Sequence, residues 1–278
     1  MSQAPIGVFD SGVGGLSVLR AIHALLPLEA LHYVADSGHA PYGDKSPAFI
    51  QERAEKVLAF LQSQGVKAVV VACNTVTGLS ISQLRERFPT LPIVAIEPAV
   101  KPAVAHTRSG TVGVLATRNT VASPGLARLV AQHAQGTRVL AQACPGWVEW
   151  VERGEWDHPQ ALEAVREQVQ PLLDQGADVL ALGCTHYPFL RDAIEAVAGP
   201  NVHIIDPAPA VARELARRLN AENLLAASHT SEQPSIQFWT TGQLETVQPV
   251  MQRLWQTNSP AGNERTQPET MQIRFADI

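Results

Sequence analysis

"QGVKAVVVACNT" (Gln64–Thr75) recurs without a gap as "QGADVLALGCTH" (Gln175–His186), at an offset of 111 residues. In each copy a Gln-Gly pair leads into a continuous apolar run, and the run stops on a cysteine followed by hydroxylic or hydrogen-bonding side chains. Two more pairs keep nearly the same offset. "IGVFDS" from Ile6 aligns on "VGVLAT" from Val112, setting Ser11 against Thr117, and "IEPA" from Ile96 aligns on "IDPA" from Ile205. Generic strand composition explains the valines but not a Gln-Gly at a matched distance before a cysteine. The chain reads as one α/β unit written twice, the halves meeting near residue 98.

Working outward, short apolar strands are expected at 6–10, 31–36, 68–73 and 92–97, with amphipathic helices near 16–26, 48–64 and 78–88. The second half repeats the alternation, with strands at 111–117, 137–144, 178–184 and 202–206 and helices near 123–134, 159–175 and 189–198. Continuous apolar strands separated by helices imply parallel sheets covered on both faces. The fold class is therefore α/β, with two pseudo-symmetric doubly wound parallel-sheet domains. Beyond 207 a helix, an edge strand in "SIQFWTTG" and a helix to about Trp255 follow. The polar 256–278 reads as a loose tail.

The chain has 278 residues, 45% of them hydrophobic and 17% charged, as in a globular protein. A net charge of −5 with scattered basic residues gives no general attraction to nucleic acid or an anionic membrane. No basic segment followed by a long apolar stretch opens the chain, so neither a signal peptide nor a transmembrane helix is expected. Three cysteines argue against a disulfide framework and for a reducing compartment, the cytoplasm. No metal-ligand spacing is present and no metal is expected.

Both repeated cysteines fall at carboxyl ends of strands, where α/β sheets bind ligands. A following helix N-terminus supplies unpaired N–H groups that favour a thiolate. Asn74 and Thr75 are good capping residues, and Pro188 suits a first helical turn after Thr185 and His186. A lone cysteine is most often a small buried hydrophobe, the reading kept for Cys144. The duplication changes that for Cys73 and Cys184. If the halves pack about a pseudo-twofold axis, the two thiols flank one bound molecule across a cleft. Inverting a stereocentre by proton transfer needs two such groups on opposite faces of one carbon.

"FDSGVGGLSVLR" turns tightly after its strand through Gly12, Gly14 and Gly15. As a dinucleotide fingerprint it is poor: Ser17 replaces the third glycine, and Asp10 would meet the pyrophosphate. An Asp10-Ser11 pair better suits a substrate ammonium.

Together, Asp10-Ser11, Pro41-Tyr42-Gly43, Cys73-Asn74-Thr75 and Cys184-Thr185-His186 resemble the aspartate/glutamate racemase superfamily over about residues 5–255, its glutamate-acting members most closely. The resemblance implies cofactor-independent interconversion of L- and D-glutamate, feeding peptidoglycan synthesis, in a cleft between two α/β domains. It divides the chain into 1–97 plus 210–255 and an inserted 98–209. It also implies Cys73 as the base toward D-glutamate and Cys184 as the base toward L-glutamate, with Asp10 and His186 assisting. Ser11, Asn74, Thr75 and Thr185 would bind the amino and α-carboxylate groups, with Pro41, Tyr42 and Gly43 near the side-chain carboxylate. Thr117 and Glu152 match a substrate-binding threonine and an acidic residue near the second cysteine, although a solvated helix face also accounts for Glu152. His39 stands where many relatives carry arginine, and the activation by a cell-wall precursor that some relatives tie to a long N-terminal extension is not expected here. Family members dimerise in different ways, so the resemblance allows a homodimer. An aspartate racemase, a cysteine-dependent hydrolase and a two-lobed binding protein stay open as alternatives.

Overall fold

A computed structural model describes residues 2–226, 234–256 and 271–278. It contains two all-parallel sheets. Strands β1 (Ile6–Asp10), β2 (Leu31–Ala35), β3 (Ala68–Val71) and β4 (Ile93–Ala95) belong to the first, with β9 (Ile236–Thr240) and β10 (Ile273–Phe275), in the order β10-β9-β2-β1-β3-β4. Strands β5 (Thr111–Ala116), β6 (Arg138–Ala143), β7 (Val179–Gly183) and β8 (His203–Ile205) form the second, in the order β6-β5-β7-β8. The order 2-1-3-4 therefore appears twice, with β1 equivalent to β5 and β3 to β7. This is the spatial form of the repeat read from the sequence.

In an open sheet of this order a crevice forms between the ends of the first and third strands, where successive connections leave in opposite directions. Ser11 follows β1 and Cys73 lies just past β3; Thr117 follows β5 and Cys184 follows β7. All four equivalent corners point into ligand-binding positions. Strands β1, β2, β3, β5 and β7 are buried throughout, which is why they read as unbroken apolar runs.

The helices are α1 (Leu16–Leu25), α2 (Pro47–Ser63), α3 (Asn74–Arg87), α4 (Val100–His106), α5 (Arg118–Val121), α6 (Pro124–His133), α7 (Trp147–Glu152), α8 (Pro159–Leu173), α9 (Arg191–Ala198), α10 (Ala208–Ala221) and α11 (Leu244–Gln256). Ser46 caps α2 by accepting from the Phe49 N–H, and Ser123 caps α6 by accepting from the Leu126 N–H, each with proline at the first helical position. Helix α10 packs on α1, so the chain after β8 is back against the first sheet.

Three expectations change. Strand β9 is not an edge strand, because it lies between β2 and β10. The tail is not loose throughout: 257–270 lie outside the described residues, but Met271 and Ile273 are buried and β10 pairs in parallel with β9. Helix α3 starts at Asn74 rather than near 78. Cys73 is its N-cap, and neither Asn74 nor Thr75 caps it with a side chain.

Candidate active site

The sheet ends meet in a narrow cavity lined by Ser11, Pro41, Tyr42, Gly43, Cys73, Asn74, Thr75, Thr117, Val148, Cys184, Thr185 and His186. All the predicted site residues line it except Asp10 and Glu152, which stand immediately behind it. Val148 was not foreseen. A larger opening, bordered by Glu97, Lys101, His133 and Arg213, holds neither repeated cysteine. The small, closed cavity is therefore where the chemistry collects. Among the described residues no group of three His, Cys, Asp or Glu side chains is arranged to hold a metal ion, and no lysine lines the cavity.

On the first-domain side, the Cys73 thiol lies 3.4 Å from the Ser11 hydroxyl and donates to it. Burial pushes this thiol up to about 12, helped by the nearby Asp10 carboxylate and opposed by its hydrogen bonds to Ser11 and the Val76 N–H. The helix N-terminus was expected to favour the thiolate, but desolvation wins. Asp10 is itself wholly buried. Its Oδ2 accepts from the Gly15 N–H at 2.7 Å and from the Thr185 hydroxyl at 3.2 Å, across the domain boundary. Its Oδ1 has no hydrogen-bond partner among the described residues. Burial raises the Asp10 pKa to about 6, against the attraction of His186.

The second-domain side is built differently. Cys184 Sγ lies 3.6 Å from His186 Nδ1, and His186 Nε2 lies 2.6 Å from Glu152 Oε1. Burial disfavours the charged ring, but its hydrogen bonds to Cys184 and Glu152 outweigh that, and His186 titrates well above the usual histidine range. A doubly protonated ring donates from both nitrogens, so the Gly14 N–H, 3.2 Å from Nε2, packs against the ring without being accepted. Glu152 ends α7 and also accepts from the Val13 N–H at 2.7 Å. It is a half-buried bridge between the two halves, bonded to both, rather than a solvated helix face.

Hydroxyls close the cavity on a third side. Thr75 and Thr117 lie 2.9 Å apart across the domains, and Thr120 completes a triangle at 3.3 and 3.0 Å. Thr120 was missed, although its place three residues after Thr117 on a helical turn was a usable signal. Both polar atoms of the Asn74 side chain are buried without a hydrogen-bond partner among the described residues, which leaves its amide free to serve a ligand. Tyr42 lines the cavity, but its hydroxyl turns away and donates to Asp36. Asp36 in turn pairs with Arg53. Cys144 is buried at the end of β6, with its thiol pushed above the usual range by burial, as a packing residue would be.

Paired thiols at equivalent strand ends of a duplicated parallel α/β fold define a class: the chain belongs to the aspartate/glutamate racemase family, described as Asp/Glu/Hydantoin racemase and matching residues 6–215. Within it, the chain is similar to glutamate racemases. Those of Ectopseudomonas mendocina (strain ymp) and Methylococcus capsulatus (strain ATCC 33009 / NCIMB 11132 / Bath) are each 51% identical, over 90% and 91% of this chain and 94% and 93% of theirs. Among solved structures, the Thermus thermophilus glutamate racemase in complex with β-chloro-D-alanine is 38% identical with a TM-score of 0.78, covering 99% of this chain and 97% of that one. The Francisella tularensis glutamate racemase in complex with D-glutamate is 29% identical with a TM-score of 0.82, covering 99% and 98%.

Proposed function

We propose that this chain interconverts L- and D-glutamate by proton transfer between two thiols, with no added cofactor. The observation that carries the reading is that Cys73 and Cys184 line one closed cavity, each with a different proton-handling partner behind it.

In the L-to-D direction the Cys184 thiolate, beside the charged His186 ring, removes the α-proton. The Cys73 thiol delivers its proton to the opposite face of the same carbon. Its high pKa keeps Cys73 protonated for that step. In the reverse direction Cys73 must lose its proton, and the Asp10 carboxylate, close enough to act on the thiol electrostatically, is the group beside it that can assist. The substrate ammonium meets Ser11, with the Asp10 carboxylate behind it balancing its charge. The α-carboxylate, which gains negative charge as the proton leaves, is served by Asn74, Thr75, Thr117 and Thr185 and by the α3 N-terminus. Pro41, Tyr42 and Gly43 face the side-chain carboxylate. Closure of the cavity excludes water, which strengthens each of these interactions.

D-glutamate made this way supplies peptidoglycan synthesis. A cytoplasmic setting accords with three cysteines free of disulfides, and no helix among the described residues is long and apolar enough to cross a membrane. The test is to follow the circular dichroism of pure L- or D-glutamate, and of aspartate, with purified protein and no cofactor. Both glutamate signals are expected to decay to zero while aspartate persists. Saturable glutamate binding without decay would instead indicate a binding protein.

A further inference from the structure

Asp36 takes no part in the proton transfers above, yet its buried carboxylate gathers four side chains. Arg53 donates from Nη2 to Oδ1 at 2.8 Å and from Nε to Oδ2 at 3.0 Å. The Thr241 hydroxyl donates to Oδ1 at 2.8 Å, His39 Nδ1 lies 3.1 Å from the same oxygen, and the Tyr42 hydroxyl donates to Oδ2. A two-point guanidinium–carboxylate pair has a fixed geometry, so it fixes the direction in which Asp36 holds the phenol.

The support continues outward. Arg53 spends its remaining Nη1 on the Ile278 carbonyl at 2.7 Å. Thr241 follows β9, and β10 is bonded along the outer side of β9, with the Ala276 N–H donating to the Thr240 carbonyl at 2.8 Å. On the facing domain, Asn119 Nδ2 donates to the Tyr42 and Lys45 carbonyls at 2.9 Å each. Pro41–Gly43 is thus clamped from behind by Asp36 and from across the cleft by Asn119.

We infer that Asp36 and Arg53, braced by strand β10, are positioning residues that hold Pro41–Gly43 against the substrate's side-chain carboxylate. The inference rests on the glutamate reading and assigns a purpose to a segment that reads as a polar tail. Because the side-chain carboxylate is bound alike in ground and transition states, loosening its support weakens binding more than chemistry.

The test compares full-length variants in both directions, after racemisation by the unaltered chain has been measured. If the unaltered chain does not turn over, the glutamate reading fails and this inference falls with it. Given turnover, Arg53→Met should raise KM about tenfold for both enantiomers while kcat falls less than about threefold. Arg53→Lys should recover part of the loss. Ile273→Asp, which dislodges β10 without altering any group at Asp36, should raise KM by a smaller factor. If Arg53→Met does not fold, Tyr42→Phe carries the test with the same expected rise in KM. Melting temperatures that fall while KM stays unchanged in these variants would overturn the inference, as would a loss confined to kcat.

Discussion

Asp10 is a carboxylate placed where burial works against its charge. One oxygen is held by Gly15 and Thr185, and the other has no hydrogen-bond partner among the described residues. Its folded pKa of about 6 lies above the ordinary 3.8, so the folded state binds this proton more tightly than the unfolded chain does. The stability Asp10 contributes is full below about pH 4 and is lost as pH rises through about 6. Asp10→Asn should therefore stabilise the protein by up to about 3 kcal/mol near pH 8, an advantage that fades toward pH 4, while racemisation drops. Denaturant melts at both pH values check this; a stabilisation equal at the two would show that Asp10 is not held against its charge. His186, also raised, acts in the same sense, its contribution being lost only at higher pH. Both thiols, Asp10 and His186 were legible in the sequence because each sits in a repeated strand-end motif. The high Cys73 pKa was not, since desolvation depends on what the other domain places over the thiol. Tyr42's orientation was hidden for the same reason: its partner Asp36 is held by an arginine 17 residues away.

Among the elements, the glycine-rich turn between β1 and α1 connects the domains. A Cβ on Gly12 would fall 1.9 Å from Glu152 Oε1, and one on Gly14 would fall 2.3 Å from His186 Nδ1. These glycines are needed for close approach of the turn to the second domain's acid–base pair, not for a left-handed backbone. Ser17, read only as a departure from a dinucleotide fingerprint, reaches across to the Thr185 carbonyl at 2.9 Å. Gly14→Ala should displace the His186 ring and lower kcat/KM at least about a hundredfold, with the far-ultraviolet spectrum retained. Activity within a few-fold of the unaltered chain would show that the ring can shift without harm. Strand positions were readable to within a residue or two because buried parallel strands carry an unbroken apolar signal. Strand β10 was not, since its three residues follow a polar stretch and gain their place only by pairing with β9.

For the whole molecule, the duplication has a chemical consequence. Two copies of a 2-1-3-4 sheet set their third-strand cysteines at the same cavity, which is what the proposed proton transfer between two faces of one carbon requires. The copies have diverged where the chemistry is asymmetric. Cys73 keeps company with Ser11 and a carboxylic acid, Cys184 with a charged imidazole braced by Glu152. The repeat was visible in the residues themselves, whereas the divergence came only through the family resemblance, because Glu152 lies on a helix with no counterpart motif in the first half. The most direct measurement is early turnover of L-glutamate in deuterated water, with product and unreacted substrate separated by enantiomer and weighed by mass spectrometry. Opposed thiols predict deuterium at the α-carbon of newly formed D-glutamate and protium retained in the remaining L-glutamate. Equal labelling of the two enantiomers from the start would contradict them.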